Sequence, residues 1–415
     1  MKKLIIALFT FLTAASVGAQ RMDLREILDS ISAGNPVVKM YNAEIKSMDA
    51  SVKGARSWMP PQIEAGLFMT PYNASLWQKN GEMNGMGSAM FSVQQMFPNR
   101  KKLDANENLM KAMSSVEKEK LGSSLNENYQ SAKAMYYDWI ILDKKQKIVK
   151  ENEQMLSFMI KNAEIRYKNG LDKMSAYYKA KAALGTSKDM QLMYDNDIRE
   201  KKIRLNALMG KNAMEPLEIV PDYTLNDYSL ESFDSNLFNE KRSDLRAIDR
   251  QIDITKLQQD LEKQNLKPEF GVKYDNMYGF GGQPFQFSLM LMAKLPFVSW
   301  ASKMNKANIE SLEYKKEALD AQKKMMINEY SGMAYGMRNE LELSKNRLKL
   351  YEDTIIPALK NNYKAMQLGY EQNTEELFML YDAWEKLNMT QLEYLEILTK
   401  ALNTQTEIDR LIERK

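Results

Sequence analysis

The stretch FQFSLMLMAKLPF at residues 285–297 decides the fold of this chain. Apolar residues occupy the odd-numbered positions up to Phe297, and the positions between them hold Gln286, Ser288, Met290, Met292 and Lys294. A period of two over this length predicts a β-strand with one apolar face. Its length, about ten residues, is what a tilted strand needs to cross a bilayer. Pro296 marks the end of the strand, and a very long helical pattern follows.

The same alternation occurs at three other places, residues 62–72, 88–97 and 269–278. Four strands are therefore predicted in two pairs, with Pro61 and Pro268 before the pairs and Pro98 and Pro296 at their ends. Aromatic residues near the strand ends suit the interfacial girdle of a membrane protein. These residues are Tyr72, Trp77, Tyr278, Phe280 and Trp300.

The chain repeats one structural plan. The tetrapeptide YKNG at residues 167–170 has a counterpart, YEQN, at 370–373, which is 203 residues later. Each copy reads helix, proline, strand, loop, strand, proline, very long helix, tight turn, helix. We predict a first repeat over residues 20–210, a linker or equatorial segment over 211–235, and a second repeat over 236–415. Such a tandem repeat indicates a chain built for quasi-symmetric assembly.

Two helical patterns are far longer than a globular domain requires. Residues 99–166 and 299–369 each read as one helix, and the first would span ~100 Å at 1.5 Å per residue. Helices of this length need coiled-coil neighbours. A 3,4 spacing of apolar residues predicts the seam: Leu377, Leu380, Trp384 and Leu387, then Leu395, Leu398 and Leu402.

The first nineteen residues read as a secretory signal peptide. Lys2 and Lys3 precede an apolar core at residues 4–15, and an Ala-x-Ala-like site at 17–19 predicts that the mature chain begins at Gln20. Beyond the signal, no window approaches 18 uninterrupted apolar residues. If the chain crosses a membrane, it therefore does so with strands.

The composition excludes several kinds of chemistry. Cysteine and histidine are absent from the sequence. Disulfides, catalytic thiols and thiolate metal sites are thus excluded, as are the commonest general base and the commonest transition-metal ligand. Without the signal, 56 basic residues face 55 acidic ones. This balance argues against nucleic acid as a partner.

Four strands in one chain cannot close a barrel, because single-chain membrane barrels begin at about eight strands. An open sheet edge within lipid would leave backbone groups unsatisfied. If the strands lie in a membrane, several chains must therefore share one barrel, and two, three or four copies would give 8, 12 or 16 strands.

The ordered set of these features resembles the TolC-like outer-membrane efflux proteins, also called outer membrane factors, over essentially the whole mature chain. The resemblance lies in the duplicated plan, the prolines at 98 and 296, and the turn motif Y-x-x-G at 167–170 with its counterpart at 370–373. It implies a mainly α protein with a membrane β-barrel. Three chains would build a 12-stranded outer-membrane barrel, four strands from each, continuous with a 12-helix periplasmic coiled-coil tunnel.

The same resemblance implies a function and partners. A TolC-like homotrimer is a passive exit duct in the cell outer membrane that extends into the periplasm. It would contact outer-membrane lipid and dock to a periplasmic adaptor protein and an inner-membrane pump, with the RND type expected. No enzymatic activity and no cofactor are expected.

Candidate site residues follow from the family's turn motif. The aperture or pore-lining candidates are Asp382, Met379, Glu375 and Glu376, because rings of carboxylates select cations. Met379 stands where the family has a second acid. The adaptor-contacting candidates are Tyr167, Gly170, Leu171, Tyr370 and Asn373. The alternative interpretations are a solvated helical Asp382 and αL turns that only terminate helices.

The chain contains 31 methionines. Met290 and Met292 lie on the predicted lumen face of a strand, and thioethers are soft ligands suited to Cu(I) or Ag(I). Adaptable core packing is the alternative explanation. Drug efflux, Cu or Ag efflux and type I protein secretion are all open as substrates. A periplasmic coiled-coil adaptor or scaffold without a pore is the runner-up, and an enzyme ranks third.

Overall fold

A computed structural model describes residues 20–170 and 173–415. The predicted signal peptide and Leu171 lie outside the described residues. The described chain divides into two compact units. The sheet unit comprises residues 39–123 and 242–329, and the tip unit comprises residues up to 38, 124–241 and 330–415. Two long helices, α3 (Arg100–Lys168) and α7 (Ser299–Leu350), contribute residues to both units.

The sheet unit is built around four antiparallel strands. They are β2 (Gln62–Phe68), β3 (Ser88–Phe97), β5 (Glu269–Gly279) and β6 (Gln286–Lys294), in the spatial order β2-β3-β5-β6. The register places Met96 of β3 opposite Gly271 of β5, and Gly271 opposite Met292 of β6. The strands of the two repeats thus form one sheet, whose outer strands are β2 and β6.

Helices α2 (Pro36–Ser51) and α6 (Ser243–Asn265) supply much of the helical part of the sheet unit. Ion pairs tie α6 to the neighbouring long helix, and Lys323 Nζ lies 2.7 Å from an Asp249 carboxylate oxygen. Gln259 also donates to Glu313 Oε2 at 3.0 Å. The faces between these helices therefore combine apolar packing with paired polar groups.

The tip unit begins with β1 (Gln20–Met22), which pairs in parallel with β4 (Leu217–Ile219). Helix α1 (Leu24–Gly34) starts with a capping box in which Asp23 Oδ1 accepts from Glu26 N at 2.7 Å. The other helices of this unit are α4 (Met174–Leu208), α5 (Ser235–Lys241), α8 (Ile356–Glu371) and α9 (Leu377–Leu411). The predicted linker or equatorial segment 211–235 contains the short strand β4.

The predicted seam residues at 377–402 are buried in the tip unit, so the 3,4 spacing identified the packed face of α9. A network of polar side chains holds the C-terminal end of α9. Lys133 Nζ donates to Asp409 Oδ2 at 2.9 Å, and Tyr228 donates its hydroxyl proton to Asp409 Oδ1 at 2.7 Å. Because both oxygens of this buried carboxylate are bonded, its burial is compensated.

Two elements differ from the predictions. The expected continuous helix 299–369 is interrupted by a π-helical turn at Tyr351–Ile355, two residues before Pro357. Proline lacks a backbone N–H and clashes with the preceding turn, so a local π bulge accommodates it. The first strand, expected over 62–72, ends at Phe68, because the next residue, Met69, has a φ of +46°.

No helix within the described residues combines the length and the apolarity that a bilayer crossing requires.

Candidate functional site

One face of the four-stranded sheet is apolar and exposed. The register places alternate residues of all four strands on this face. Leu291, in the middle of β6, is 87% exposed. The other exposed apolar side chains of this face are Ile63, Leu67, Phe91, Phe97, Phe270, Tyr274, Tyr278, Phe287 and Leu289. A contiguous apolar surface of this kind marks contact with a membrane or with another protein.

The opposite face of the sheet is polar and better covered. Ser92 donates its hydroxyl proton to Asp275 Oδ1 at 2.5 Å, and both residues are buried. Lys273 Nζ lies 3.4 Å from a carboxylate oxygen of Glu64 and 3.5 Å from one of Asp275. The sheet therefore separates an apolar surface from a surface of paired charges, as a strand between lipid and water requires.

The turn that follows α3 is the first of two turns that connect helices at one end of the tip unit. Gly170 has a φ of +74°, the left-handed conformation that ends many helices. Its N–H donates to Tyr167 O at 2.9 Å, and Asn169 Nδ2 donates to Ile165 O at 2.9 Å. The YKNG motif is thus a helix terminator whose local bonds occupy the last carbonyls of α3.

The turn after α8 uses asparagine in the same role. Asn373 has a φ of +60°, and the N–H and hydroxyl of Thr374 both donate to Gly369 O, at 2.9 Å and 3.0 Å. Glu375 folds back over Gly369, and the Glu375 Cγ lies 2.6 Å from the point that a Cβ added at position 369 would occupy. A larger residue at position 369 would therefore have to displace the Glu375 side chain.

Arg166, on the last turn of α3, connects the two turns. Its Nη1 donates to Tyr370 O at 3.1 Å and to Asn373 Oδ1. Its guanidinium also lies 4.5 Å from the centre of the Tyr370 ring. A planar cation that bonds a turn and stacks on a ring holds that turn more firmly than a lysine could.

A cavity of about 820 Å³ opens between the two turns. Its lining mixes cations, carboxylates and an aromatic ring: Arg166, Lys173, Lys179, Glu375, Glu376 and Phe378. Lys179 Nζ lies 4.7 Å from the Phe378 ring centre and 4.2 Å from that of Tyr381. Burial, with the nearby Glu385 carboxylate, raises the pKa of Tyr381 to about 12, so Lys179 rests on a neutral ring.

A buried apolar cluster supports both turns from below. It contains residues of all four helices that end there, among them Leu156, Ala180, Tyr370, Leu377 and Leu380. Trp384 joins this cluster and donates its Nε1–H to Asn152 Oδ1 at 2.9 Å. The turns are thus presented on a packed base rather than on a free loop.

The predicted aperture residues lie on one short segment. Asp382, Glu376 and Met379 are exposed, and Glu375 is half-buried against Gly369. Glu376 is the N-cap residue of α9, but its side chain makes no capping bond. Among residues 20–170 and 173–415, no partner forms an ion pair with Asp382. Within the described residues, the Asp382 carboxylate is therefore exposed to solvent without a salt bridge.

The predicted adaptor-contacting residues divide into two groups. Tyr167 is 47% exposed, and Gly170 and Asn373 are exposed at the turns. Tyr370, the repeat counterpart of Tyr167, is only 1% exposed and lies in the apolar cluster. Its ring therefore holds the second turn from inside rather than presenting a surface to a partner.

Comparison with known proteins adds the family. Residues 27–211 match the family described as outer membrane efflux protein. The matched residues cover nearly all of the predicted first repeat. The resemblance to TolC-like outer-membrane efflux proteins, predicted from the turn motif and the repeat, is thereby confirmed. No curated protein sequence matches the chain.

Solved structures extend the likeness to both repeats. The outer membrane protein VceC of Vibrio cholerae is 15% identical with a TM-score of 0.73, over 94% of this chain and 95% of that one. The Campylobacter jejuni CmeC outer membrane channel is 10% identical with a TM-score of 0.72, over 94% and 85%. The Neisseria gonorrhoeae MtrE outer membrane channel, in its open state, is 11% identical with a TM-score of 0.72, over 94% and 88%. At these identities the likeness shows the fold.

The location follows from the family and the fold. The family match and the shared fold support a location in the outer membrane with an extension into the periplasm. The exposed apolar face of the sheet is the kind of surface that such a location requires, and the polar face lies on the other side of the sheet. The predicted fold class, mainly helical with a set of membrane strands, is likewise confirmed.

Arg166 and Lys179 are the residues of the tip that sequence reasoning missed. A signal for Arg166 existed, because it directly precedes the YKNG motif, whereas Gly369 precedes the counterpart YEQN. At this position, the arginine of the first repeat bonds the turn of the second repeat. The sequence around Lys179 gives no comparable signal, because the contacts of Lys179 depend on how α4 packs against α9.

Proposed function

We propose that three copies of this chain form a passive exit duct of a tripartite efflux system. The main support for this proposal is the four-stranded sheet, which combines an exposed apolar face with two outer strands, β2 and β6. The duct would receive its substrates from an inner-membrane pump, of the RND type, through a periplasmic adaptor. It would need no catalytic group of its own.

The two outer strands of the sheet leave backbone groups that need partners. Within lipid, unpaired N–H and C=O groups each cost several kcal/mol, so an open edge does not persist there. Pairing β6 of one copy with β2 of the next would give the backbone N–H and C=O groups of both edge strands their hydrogen-bond partners, and every copy would be the same chain. Three copies give 12 strands, and the fold shared with outer membrane channels supports this closed arrangement. A two-copy barrel of eight strands would have an interior that side chains fill.

The tips supply the docking surface for the adaptor. Tyr167, Gly170, Leu171 and Asn373 would contact it, with Tyr370 holding the second turn from beneath. The cavity between the turns carries both signs of charge and an exposed aromatic ring, Phe378, a composition suited to a polar helical partner. Arg166 keeps the two turns together and so fixes the shape that the adaptor meets.

The polar and exposed side chains of residues 375–382 would line the periplasmic aperture. Glu375, Glu376 and Asp382 then recur in every copy, and symmetry would multiply each of them into a ring. A ring of carboxylates concentrates cations and repels anions. Met379 would stand in the same ring without charge.

The proposal is tested with the mature chain purified in detergent. Native mass spectrometry should give three times the mass of one mature chain, and the same sample should form conducting pores in planar lipid bilayers. A monomer without conductance would favour the alternative, a periplasmic coiled-coil scaffold. Because such a scaffold has no use for an exposed apolar sheet face, it should also remain in the aqueous fraction after lysis.

A further inference from the structure

The polar face of the sheet carries five methionines. They are Met90 and Met96 on β3, Met277 on β5, and Met290 and Met292 on β6. The register places Met90 directly opposite Met277, and it places Met96, Gly271 and Met292 in one row across three strands. All of these side chains point away from the exposed apolar face.

Gly271 creates a notch in that row. A Cβ at position 271 would overlap Met96 Sδ and would lie 3.1 Å from Met292 Cε. Both methionine side chains therefore turn toward the same space above the glycine. Met290 lies two positions before Met292 on the same face, a distance that a methionine side chain can span.

The other donor groups near the notch are already engaged. Lys102 Nζ lies 2.8 Å from Glu269 Oε1, and the Asp275 carboxylate accepts from Ser92 and lies near Lys273. Within the described residues, no group of three histidine, cysteine, aspartate or glutamate side chains is placed to hold a metal. The side-chain donors left over the notch are the thioethers, and the backbone oxygen of Gln95 lies beside them, 2.7 Å from the position of a Cβ at residue 271.

We propose that Met96 and Met292 bind a soft monovalent metal ion, Cu(I) or Ag(I), over Gly271, with Met290 as the third thioether in reach. The position of this site within a duct rests on the proposed function. Binding itself depends only on the fold of one sheet.

The chemistry of the donors fixes the class of ion. Thioether sulfur is neutral and polarisable, so it binds Cu(I) and Ag(I) well, whereas hard divalent ions prefer oxygen. A neutral site also suits transit, because the ion must leave as well as enter. If the methionines served packing alone, leucine of similar volume would replace them without consequence for any ion.

The experiment compares Ag(I) binding by the full detergent-purified chain and by the double variant Met96→Leu with Met292→Leu. Bound silver is counted after equilibrium dialysis. Wild type should bind about one Ag(I) per chain more tightly than its remaining methionines do, and the double variant should lose this site, with affinity at least about tenfold weaker. Zn(II) should not occupy it.

The matched control is the double variant Met304→Leu with Met325→Leu. Both residues are exposed methionines on α7 of the same unit, outside the sheet. The control should keep the tight site. Equal Ag(I) binding by the sheet variant and the wild type would overturn the proposal.

A second measurement needs no variant. X-ray absorption of silver-loaded wild type should show sulfur neighbours, and a shell of only oxygen or nitrogen would overturn the proposal. Conductance separates this outcome from that of the proposed function. A conducting wild type without a tight Ag(I) site contradicts the metal inference alone, whereas a silver-binding chain that forms no pore contradicts the duct alone.

Discussion

At the scale of single residues, Gly170 and Gly185 have equal space around them but different backbones. A Cβ added at either position would meet no atom within 4 Å. Gly170 has a φ of +74°, whereas Gly185 lies inside helix α4 and is not among the described glycines with positive φ. Any difference between alanine substitutions at the two positions would therefore report backbone conformation and not crowding.

We expect Gly170→Ala to destabilise the first turn by roughly 1–2 kcal/mol, because an L-residue is strained in the left-handed region. Gly185→Ala should stabilise α4 by ~0.5–1 kcal/mol, because alanine loses less backbone entropy. Hydrogen exchange of the amides at residues 165–170 and chemical unfolding measure the two effects. Equal effects of the two substitutions would mean that the turn does not hold its αL conformation.

Tyr136 gives the stability of the tip unit a dependence on alkaline pH. Its buried hydroxyl donates to Val220 O, and burial, followed by the charge of Asp23, raises its pKa to about 12 from 10.0. Because the folded-state pKa exceeds the unfolded one, the stabilisation is complete below pH 10 and is lost as the pH rises toward 12. The loss is on the order of 2–3 kcal/mol.

The corresponding prediction compares wild type with Tyr136→Phe. The variant should be less stable by about 1 kcal/mol at neutral pH, because Val220 O loses its hydrogen bond. Its melting temperature should then fall less steeply than that of wild type between pH 10 and 12. Parallel melting curves across this range would show that Tyr136 does not titrate with the folded state.

At the scale of elements, β6 provides adjacent residues on opposite faces. Leu291 lies on the exposed apolar face, and Met290 lies on the polar face. Leu291→Arg should weaken the membrane-inserted state by about 2–4 kcal/mol if the residue lies near the bilayer midplane, whereas Met290→Arg should have little effect on insertion. The amount of folded chain in the outer-membrane fraction measures this. Equal losses would contradict the assignment of the two faces.

Elements with a strong period could be predicted from the sequence, and those decided by contacts could not. The alternation at 88–97 defined β3 to the residue, and the helix expected at 99–166 is observed as Arg100–Lys168. The π turn before Pro357 depends on how a long helix absorbs a missing N–H, and apolar spacing does not show this. The buried position of Tyr370 was missed because the exposed Tyr167 has the same motif.

At the scale of the whole molecule, the two repeats have diverged where the chain would meet other proteins. The first turn ends in glycine and the second in asparagine, and Arg166 of the first repeat bonds the second turn. Two unlike tips in each of three chains would give a ring that alternates around its circumference. An adaptor would therefore meet two kinds of docking site, one centred on Tyr167 and one on Asn373.

Symmetry would also amplify one side chain at the proposed aperture, and Asp382→Asn tests this. Asp382 is exposed and would recur once in each copy, so the substitution should remove one negative charge from every copy at the aperture. We expect the cation-to-anion permeability ratio, taken from the reversal potential under a salt gradient, to fall on the order of twofold.

Asp189→Asn is the control, since Asp189 is an exposed aspartate on α4, and it should leave the ratio unchanged. A ratio that stays the same in Asp382→Asn, with normal conductance, would remove Asp382 from the aperture. The selectivity would then have to come from Glu375 or Glu376, whose glutamine variants should lower the ratio in its place.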